Sequence, residues 1–369
     1  MPRKKQSVRV YFDADWLVYS SGFSVEHTDY ALVVDGTLTG TYEGKEALNV
    51  AREKLKGEDD LEIRVFSDTY LEDDALVRAK HNVKSQIDGV ERAISKKYPK
   101  ATQDWIFVLT GGMNFRDAIA TIRPYKGNRQ TRSRPLLYQD LRAYLREVWG
   151  AYVVHGYEAD DEVAILQTEQ PSVLVHVDKD LLQVPGVHYV PGKGWANLSE
   201  EYGLRFFYRQ VISGDTADNI GGVYRAGEKR AKEVITKGMA ETDMAAAAIK
   251  EYEASLEKYG AEKCGYDDAY KAFVENGELL WLIRRREALP TLQRPARAIE
   301  LSTVAPAKEG VFIEANRQAA EQLQTLYKVC NDKAQSEEPM KELKRIVKGS
   351  EKPVYTEAEL DDLTEELGL

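Results

Sequence analysis

Cysteine is nearly absent from this chain: Cys264 and Cys330 are the only two in 369 residues, far apart and without metal-ligand spacing. That excludes a disulfide scaffold and fits a reducing cytoplasm. Histidine is also sparse, and His27, His81, His155, His176 and His188 show neither zinc spacing nor a serine or cysteine partner, so ordinary structural roles are expected of them. No apolar run approaches the roughly 20 residues that cross a bilayer. Residues 1–6 lead into a short strand rather than a signal-peptide core, so no membrane association and a cytoplasmic location are expected. There is no Walker phosphate loop and no internal repeat. The net charge of −10 argues superficially against nucleic acid, but electrostatic footprints are local and must be sought segment by segment.

What is present begins with length, enough for a core of roughly 200 to 250 residues plus a module or tail. Residues 9–12 read as a short buried strand with Asp13-Ala14-Asp15 at its carboxyl end, where open α/β sheets place ligands. Residues 31–34 and 37–42 flank Asp35-Gly36 and form a hairpin signal, taken as a peripheral insertion. A helix over 43–56, a strand over 61–66 and a long charged helix over 73–98 follow. Residues 105–109 form another strand, ending in Thr110-Gly111-Gly112.

Beyond it the composition changes. Arg116, Arg123, Lys126, Arg129, Arg132, Arg134, Arg142 and Arg146 outnumber Asp117 and Asp140 across one span, with Phe115, Tyr125 and Tyr138 among them. Cations for phosphates and rings for bases would explain the mixture, and a solvated helical face is the other reading. Residues 135–149 then make an amphipathic helix, with Leu137, Leu141, Tyr144, Leu145 and Val148 on its buried side.

A strand over 151–155 delivers Glu158, Asp160 and Asp161 to a helix start. Three carboxylates in four positions suit a hard divalent cation, although acids also favour helix N-termini for the macrodipole alone. Helical periodicity places Glu158 and Asp161 on one face and turns Asp160 away; with Glu158 still in the preceding loop, all three can reach one edge. The strand over 172–177 is capped by Asp178 and Asp180. If these strands are parallel, the acids gather on one edge of one sheet. Residues 213–223 form a glycine-rich turn carrying Asp215 and Asp218, and Gly227 opens a helix with Arg225, Lys229, Arg230 and Lys232 nearby, which suits a DNA backbone. Residues 239–286 read as helical, Pro290 and Pro295 mark a boundary, and one helix over 315–330 precedes a charged tail.

In this order the motifs resemble the 5′ nuclease family: the 5′-nuclease domain of bacterial DNA polymerase I, flap endonucleases and, most similar, bacteriophage 5′-to-3′ exonucleases. The resemblance covers residues 8–235 and is carried by Phe12-Asp13-Ala14-Asp15, Phe115-Arg116, Tyr125-Lys126-Gly127-Asn128-Arg129, Glu158 to Asp161, Val177-Asp178-Lys179-Asp180-Leu181 and Gly214-Asp215-Thr216-Ala217-Asp218-Asn219. It implies an α/β fold: a PIN-like domain over 1–204, with a central mostly parallel sheet and a helical arch. A helix-three-turn-helix module over 205–290 and a helical extension with charged tail over 291–369 follow. It also implies a monomeric metal-dependent 5′-to-3′ exonuclease, with flap-endonuclease and RNase H-like action on RNA/DNA hybrid as extensions, in phage DNA replication or degradation.

The family's roles carry over residue by residue. Asp13, Glu158, Asp160 and Asp161 would surround one Mg²⁺ or Mn²⁺, and Asp178, Asp180, Asp215 and Asp218 the second. Arg116 and Lys126 would meet the scissile phosphate. Tyr125 would stack near the terminal base, with Arg129, Arg132, Arg134, Arg225, Gly227, Lys229 and Arg230 along the DNA. Two departures stand out. The family's usual aspartate after the third strand is replaced by Thr110-Gly111-Gly112, which leaves a catalytically weakened DNA-binding member as the alternative and makes Gly111→Asp a restoring change. The family's Gly-x-Gly appears as Arg225-Ala226-Gly227, which bears on the turn and on the monovalent cation its carbonyls would hold. A small PIN-type ribonuclease fits the acids but not the turn over 214–231.

Overall fold

The structure, a computed structural model, describes residues 7–56, 61–129 and 134–286. Arg132, the helix expected over 315–330 and the charged tail lie outside these residues. The described residues fall into two compact units, one of residues 7–15, 100–129 and 151–286, the other of residues 16–56, 61–99 and 134–150. Among the described residues no helix is long and apolar enough to cross a membrane.

The larger unit is a mixed, mostly parallel α/β sheet with helices. Strand β1 (Ser7–Asp13) lies between β5 (Thr102–Asn114) and β7 (Val173–Val175), parallel to both. Beyond β5 comes β6 (Tyr152–Gly156), parallel, and beyond β7 come β8 (Gly186–Val190), parallel, and β9 (Gly194–Leu198), antiparallel. Val10, Tyr11 and Phe12 are wholly buried, which is why β1 reads as a continuous apolar run rather than an alternating one. Burial of each such side chain contributes roughly 1.5–3 kcal/mol. The order β6-β5-β1-β7-β8-β9 places β1 where the sheet changes direction of growth, so the carboxyl end of β1 opens into a crevice. The parallel arrangement is as the sequence suggested. The β8–β9 hairpin was not foreseen, and β7 is shorter than its apolar run because the chain turns away at His176.

Helices α4 (Phe115–Ile119) and α6 (Ala159–Glu169) follow β5 and β6. Downstream, α7 (Glu200–Ser213), the two-residue strands β10 (Gly214–Asp215) and β11 (Ile220–Gly221), and α8 (Glu228–Val234), α9 (Glu241–Tyr259), α10 (Ala261–Cys264) and α11 (Ala269–Leu280) enclose their own core. Tyr208, Tyr252 and Phe273 are buried there, and Tyr252 donates to the carbonyl of Val211 at 2.7 Å. Helical structure stops at Leu280 rather than continuing to residue 286.

The smaller unit holds α1 (Asp15–Phe23) from its second residue onward and an antiparallel sheet ordered β3-β2-β4, from β2 (Glu26–Val34), β3 (Thr37–Glu43) and β4 (Ile63–Leu71). Asp35 and Gly36 both take positive φ, 48° and 76°, the conformation a two-residue hairpin turn demands. Helix α2 (Gly44–Glu53) follows β3. Helix α3 (Ala75–Lys97) buries Ala79, Val83, Ile87, Val90 and Ile94 along one stripe and packs on α5 (Tyr138–Trp149). Leu141 and Leu145 of α5 are buried as expected, whereas Val148, expected inward, is 60% exposed near the helix end.

Candidate functional site

The carboxyl ends of β1, β5, β6 and β7 meet at one edge. β5 is irregular there, its register with β6 shifting between Thr110 and Asn114. The amide of Thr110 donates to Asp15 Oδ2 at 3.0 Å, and its Oγ1 accepts from the amide of Ala159 at 2.8 Å. Thr110 thus fastens the end of β5 to Asp15 and to the start of α6. Gly111 has no room for a side chain: a Cβ there would sit 2.3 Å from the carbonyl oxygen of Val154 and 2.4 Å from His155 Nδ1. The expectation that an aspartate could be restored at Gly111 is corrected on that ground.

Asp13, only 5% exposed, lies at the end of β1 and accepts from the amide of Asp15 at 3.2 Å. Burial, and then the charges of Asp15 and Asp178, push its carboxyl well above the usual range, and Asp160 shares a hydrogen bond with it. Asp160 is raised for the same reasons, by burial first and then by Asp13, Asp178 and Glu158. Asp178 accepts from the amide of Asp180 at 2.9 Å, and Asp180 accepts from Gln210 Nε2 at 2.6 Å. Burial, Asp178 and Asp215 push Asp180 up to about 7. Asp215 meets Lys179 at 3.0 Å and receives the amide of Ala217 at 2.7 Å. Crowded acids whose pKa values rise call for a counter-ion. An all-oxygen set is the donor chemistry of Mg²⁺ or Mn²⁺. Among the described residues no three acid, imidazole or thiol side chains close on one point.

Glu158, Asp160 and Asp161 diverge rather than converge. Glu158 occupies the N-cap of α6 in extended conformation, as its loop position suggested, but it turns to Lys126 and Tyr125 while Asp160 turns to Asp13. Burial alone would raise Glu158; Lys126 and Arg116 outweigh it and hold the carboxyl down to about 2. The Tyr125 hydroxyl lies 2.8 Å from Glu158 Oε2 and 2.9 Å from Asp218 Oδ2, and Lys126 Nζ lies 3.6 Å from Asp218. Arg129 pairs with Asp218 and donates to the carbonyl of Ala217 at 3.0 Å. Residues 124–129 are thereby stitched to the turn over 214–219, with Lys126 in a left-handed conformation at φ 52°.

Arg116 lies apart from any exposed surface, 1% exposed, and Asp161 is fully buried. They form a two-pronged pair at 2.7 and 2.9 Å. The expectation that Arg116 meets a phosphate and Asp161 an ion meets a different arrangement, in which each occupies the other.

In the turn, Gly214 has φ 74°, and Gly222 fits against Gly214 N and the Ile212 carbonyl at distances that admit no Cβ. Arg225 takes φ 64°, the left-handed conformation a glycine would supply, with its guanidinium 5.9 Å from the rings of both Tyr224 and Tyr259. Gly227 caps α8 with open space about it, and Lys229 is exposed. Arg230 is turned to Glu251, at 2.5 Å. Arg134, in the smaller unit, stacks 4.7 Å from Tyr138.

Thr110, Asp15, Lys179 and Gln210 were not singled out in sequence as site residues. Lys179 had a signal, lying between Asp178 and Asp180; Gln210 had none, being one polar residue on the buried face of α7.

The chain is similar in fold to 5′ nucleases. A crystal structure of the bacteriophage T5 D15 protein with metal ions matches at 14% identity, over 85% of this chain and 99% of that one, with a TM-score of 0.43. A T5 D15 flap endonuclease complexed with DNA and metal ions matches at 17% identity, over 65% and 90%, with a TM-score of 0.39. The catalytic core of Rad2 with a DNA substrate matches at 14% identity, over 86% and 93%, with a TM-score of 0.36. No protein-family model and no curated protein matches the chain. What those solved proteins bind is a property of theirs; the chemistry open to this chain follows from its own side chains.

Proposed function

We propose that this chain is a divalent-metal-dependent 5′-to-3′ exonuclease hydrolysing DNA phosphodiester bonds. The supporting observation is that Asp13, Asp160 and Asp178, which follow β1, β6 and β7, stand close enough for their charges to raise the carboxyls of both Asp13 and Asp160. Asp13, Glu158 and Asp160 would hold one ion, and Asp178, Asp180, Asp215 and Asp218 the second, some through water. Two such ions, when bound, activate a water and stabilise the leaving oxygen of a phosphodiester. Lys126 and Arg129 supply the positive charge that a phosphate would draw from Glu158 and Asp218. Residues 1–204 form the nuclease domain in this reading, and residues 205–290 a helix-three-turn-helix module. That module presents the amides of the turn, Arg225 and Lys229 to a DNA strand, with RNA/DNA hybrid as a second substrate.

The test is release of 5′ label from duplex DNA, with Mg²⁺ and with chelator, on free and blocked 5′ ends. Asp178→Asn and Asp13→Asn should each abolish release. Undiminished hydrolysis by both variants would sink the site.

A second reading, a DNA-binding protein of this fold without cleavage, is favoured by Thr110 standing where the family keeps an acid and by Lys126 and Lys179 already neutralising acids from within. It requires DNA binding in chelator and no label release at any Mg²⁺ concentration.

A further inference from the structure

Every hydrogen-bonding direction of Arg116 and Asp161 is committed to protein. The guanidinium gives two bonds to Asp161, one from Nε to the carbonyl of Leu279 at 2.9 Å, and one from Nη2 to the carbonyl of Trp281 at 2.9 Å. Its Nη1 also lies 3.4 Å from Glu158 Oε2. Asp161 Oδ1 accepts from the amide of Ile283 at 2.9 Å, and its Oδ2 accepts from the amide of Glu158 at 3.2 Å. The Leu280 carbonyl, between these contacts, accepts from Gln183 Nε2 at 2.8 Å. Buried side chains therefore take the backbone groups of residues 279–283 that a continuing helix would have used, which explains why α11 ends at Leu280. A single carboxylate joins the Ile283 amide to the Glu158 amide, and the residue between Glu158 and Asp161 that follows Ala159 is Asp160, hydrogen-bonded to Asp13.

We propose that the Arg116–Asp161 pair is a positioning device through which residues 279–283 set the first turn of α6, and with it Glu158 and Asp160. These two residues touch neither phosphate nor ion; they act through others. The inference rests on the metal-binding reading above. Linkage makes the coupling reciprocal, so an ion at the acids tightens residues 279–283.

The full chain is titrated with Mn²⁺, followed by electron paramagnetic resonance, and amide exchange over residues 279–283 is measured with and without saturating Mn²⁺. Arg116→Lys keeps the charge but cannot span the fork, and should weaken Mn²⁺ binding about 10-fold or more. Mn²⁺ should slow exchange over residues 279–283 in the wild type. A thermal melt reports whether Arg116→Lys is folded; if it is not, the wild-type exchange decides. A folded Arg116→Lys with wild-type Mn²⁺ affinity, or exchange at 279–283 indifferent to Mn²⁺, overturns the positioning role alone. No Mn²⁺ binding by the wild type overturns the metal reading and this inference together.

Discussion

Thr110 Oγ1 accepts the Ala159 amide at 2.8 Å, so the end of β5 holds the first turn of α6 by one side-chain contact across 49 positions of sequence. The acceptor satisfies an amide at a helix start that has no partner within the helix. Thr110→Val keeps the shape and removes the acceptor. It should cost about 1–3 kcal/mol, read from urea unfolding, and Thr110→Ser should recover most of it.

Gly111→Asp should lower stability by about 1–3 kcal/mol or more, because its Cβ would press on the Val154 carbonyl and the His155 ring. Mg²⁺-dependent label release should not rise in this variant. A gain in hydrolysis would show that β5 relaxes to admit the acid.

The buried imidazoles of His176 and His188 contact each other at 2.9 Å, and their outer nitrogens meet the carbonyls of Asp178 and Val184 at 2.6 and 2.8 Å. Burial lowers His176 to about 4 and His188 to about 3. The unfolded chain therefore binds more protons below the ordinary histidine value of about 6.5. Their contribution to stability is complete above pH 6.5 and is lost as pH falls from there through 4 and 3. Asp180, raised to about 7, acts oppositely and favours the fold as pH falls below 7. The difference between wild type and His188→Gln, in unfolding measured from pH 7 to 4, isolates the histidines. His188→Gln should flatten the acid limb.

Arg225 holds a left-handed backbone that costs a side-chain-bearing residue roughly 1 kcal/mol. Arg225→Gly removes that cost together with its contacts to Tyr224 and Tyr259, so stability should change by less than about 1 kcal/mol. If Arg225 meets a phosphate, the same change weakens DNA binding and lowers the slope of log affinity against log salt by about 1. An unchanged slope removes Arg225 from the interface.

Local order in this chain was legible without coordinates. Val10, Tyr11 and Phe12 make a run apolar on both faces, which a strand covered by helices requires, and Asp35-Gly36 can adopt the two left-handed conformations of a hairpin turn. These are decided by neighbours in sequence, and so was the presence of acids after β1, β6 and β7. Side-chain direction was not. Glu158, Asp160 and Asp161 were visible as a cluster, but their partners Lys126, Asp13 and Arg116 come from three other segments, and only packing determines which acid meets which. The β8–β9 hairpin and the end of α11 were hidden for a related reason. Backbone groups choose between continuing a helix and bonding to distant side chains, and Arg116, Asp161 and Gln183 reach residues 279–283 only once the chain has folded. Sequence by itself determined which residues carry charge and which strands end in acids. Tertiary structure alone decided that Asp13 and Asp160 face each other, and that Arg116 and Asp161 are spent on one another, because that outcome depends on contacts far apart in the chain.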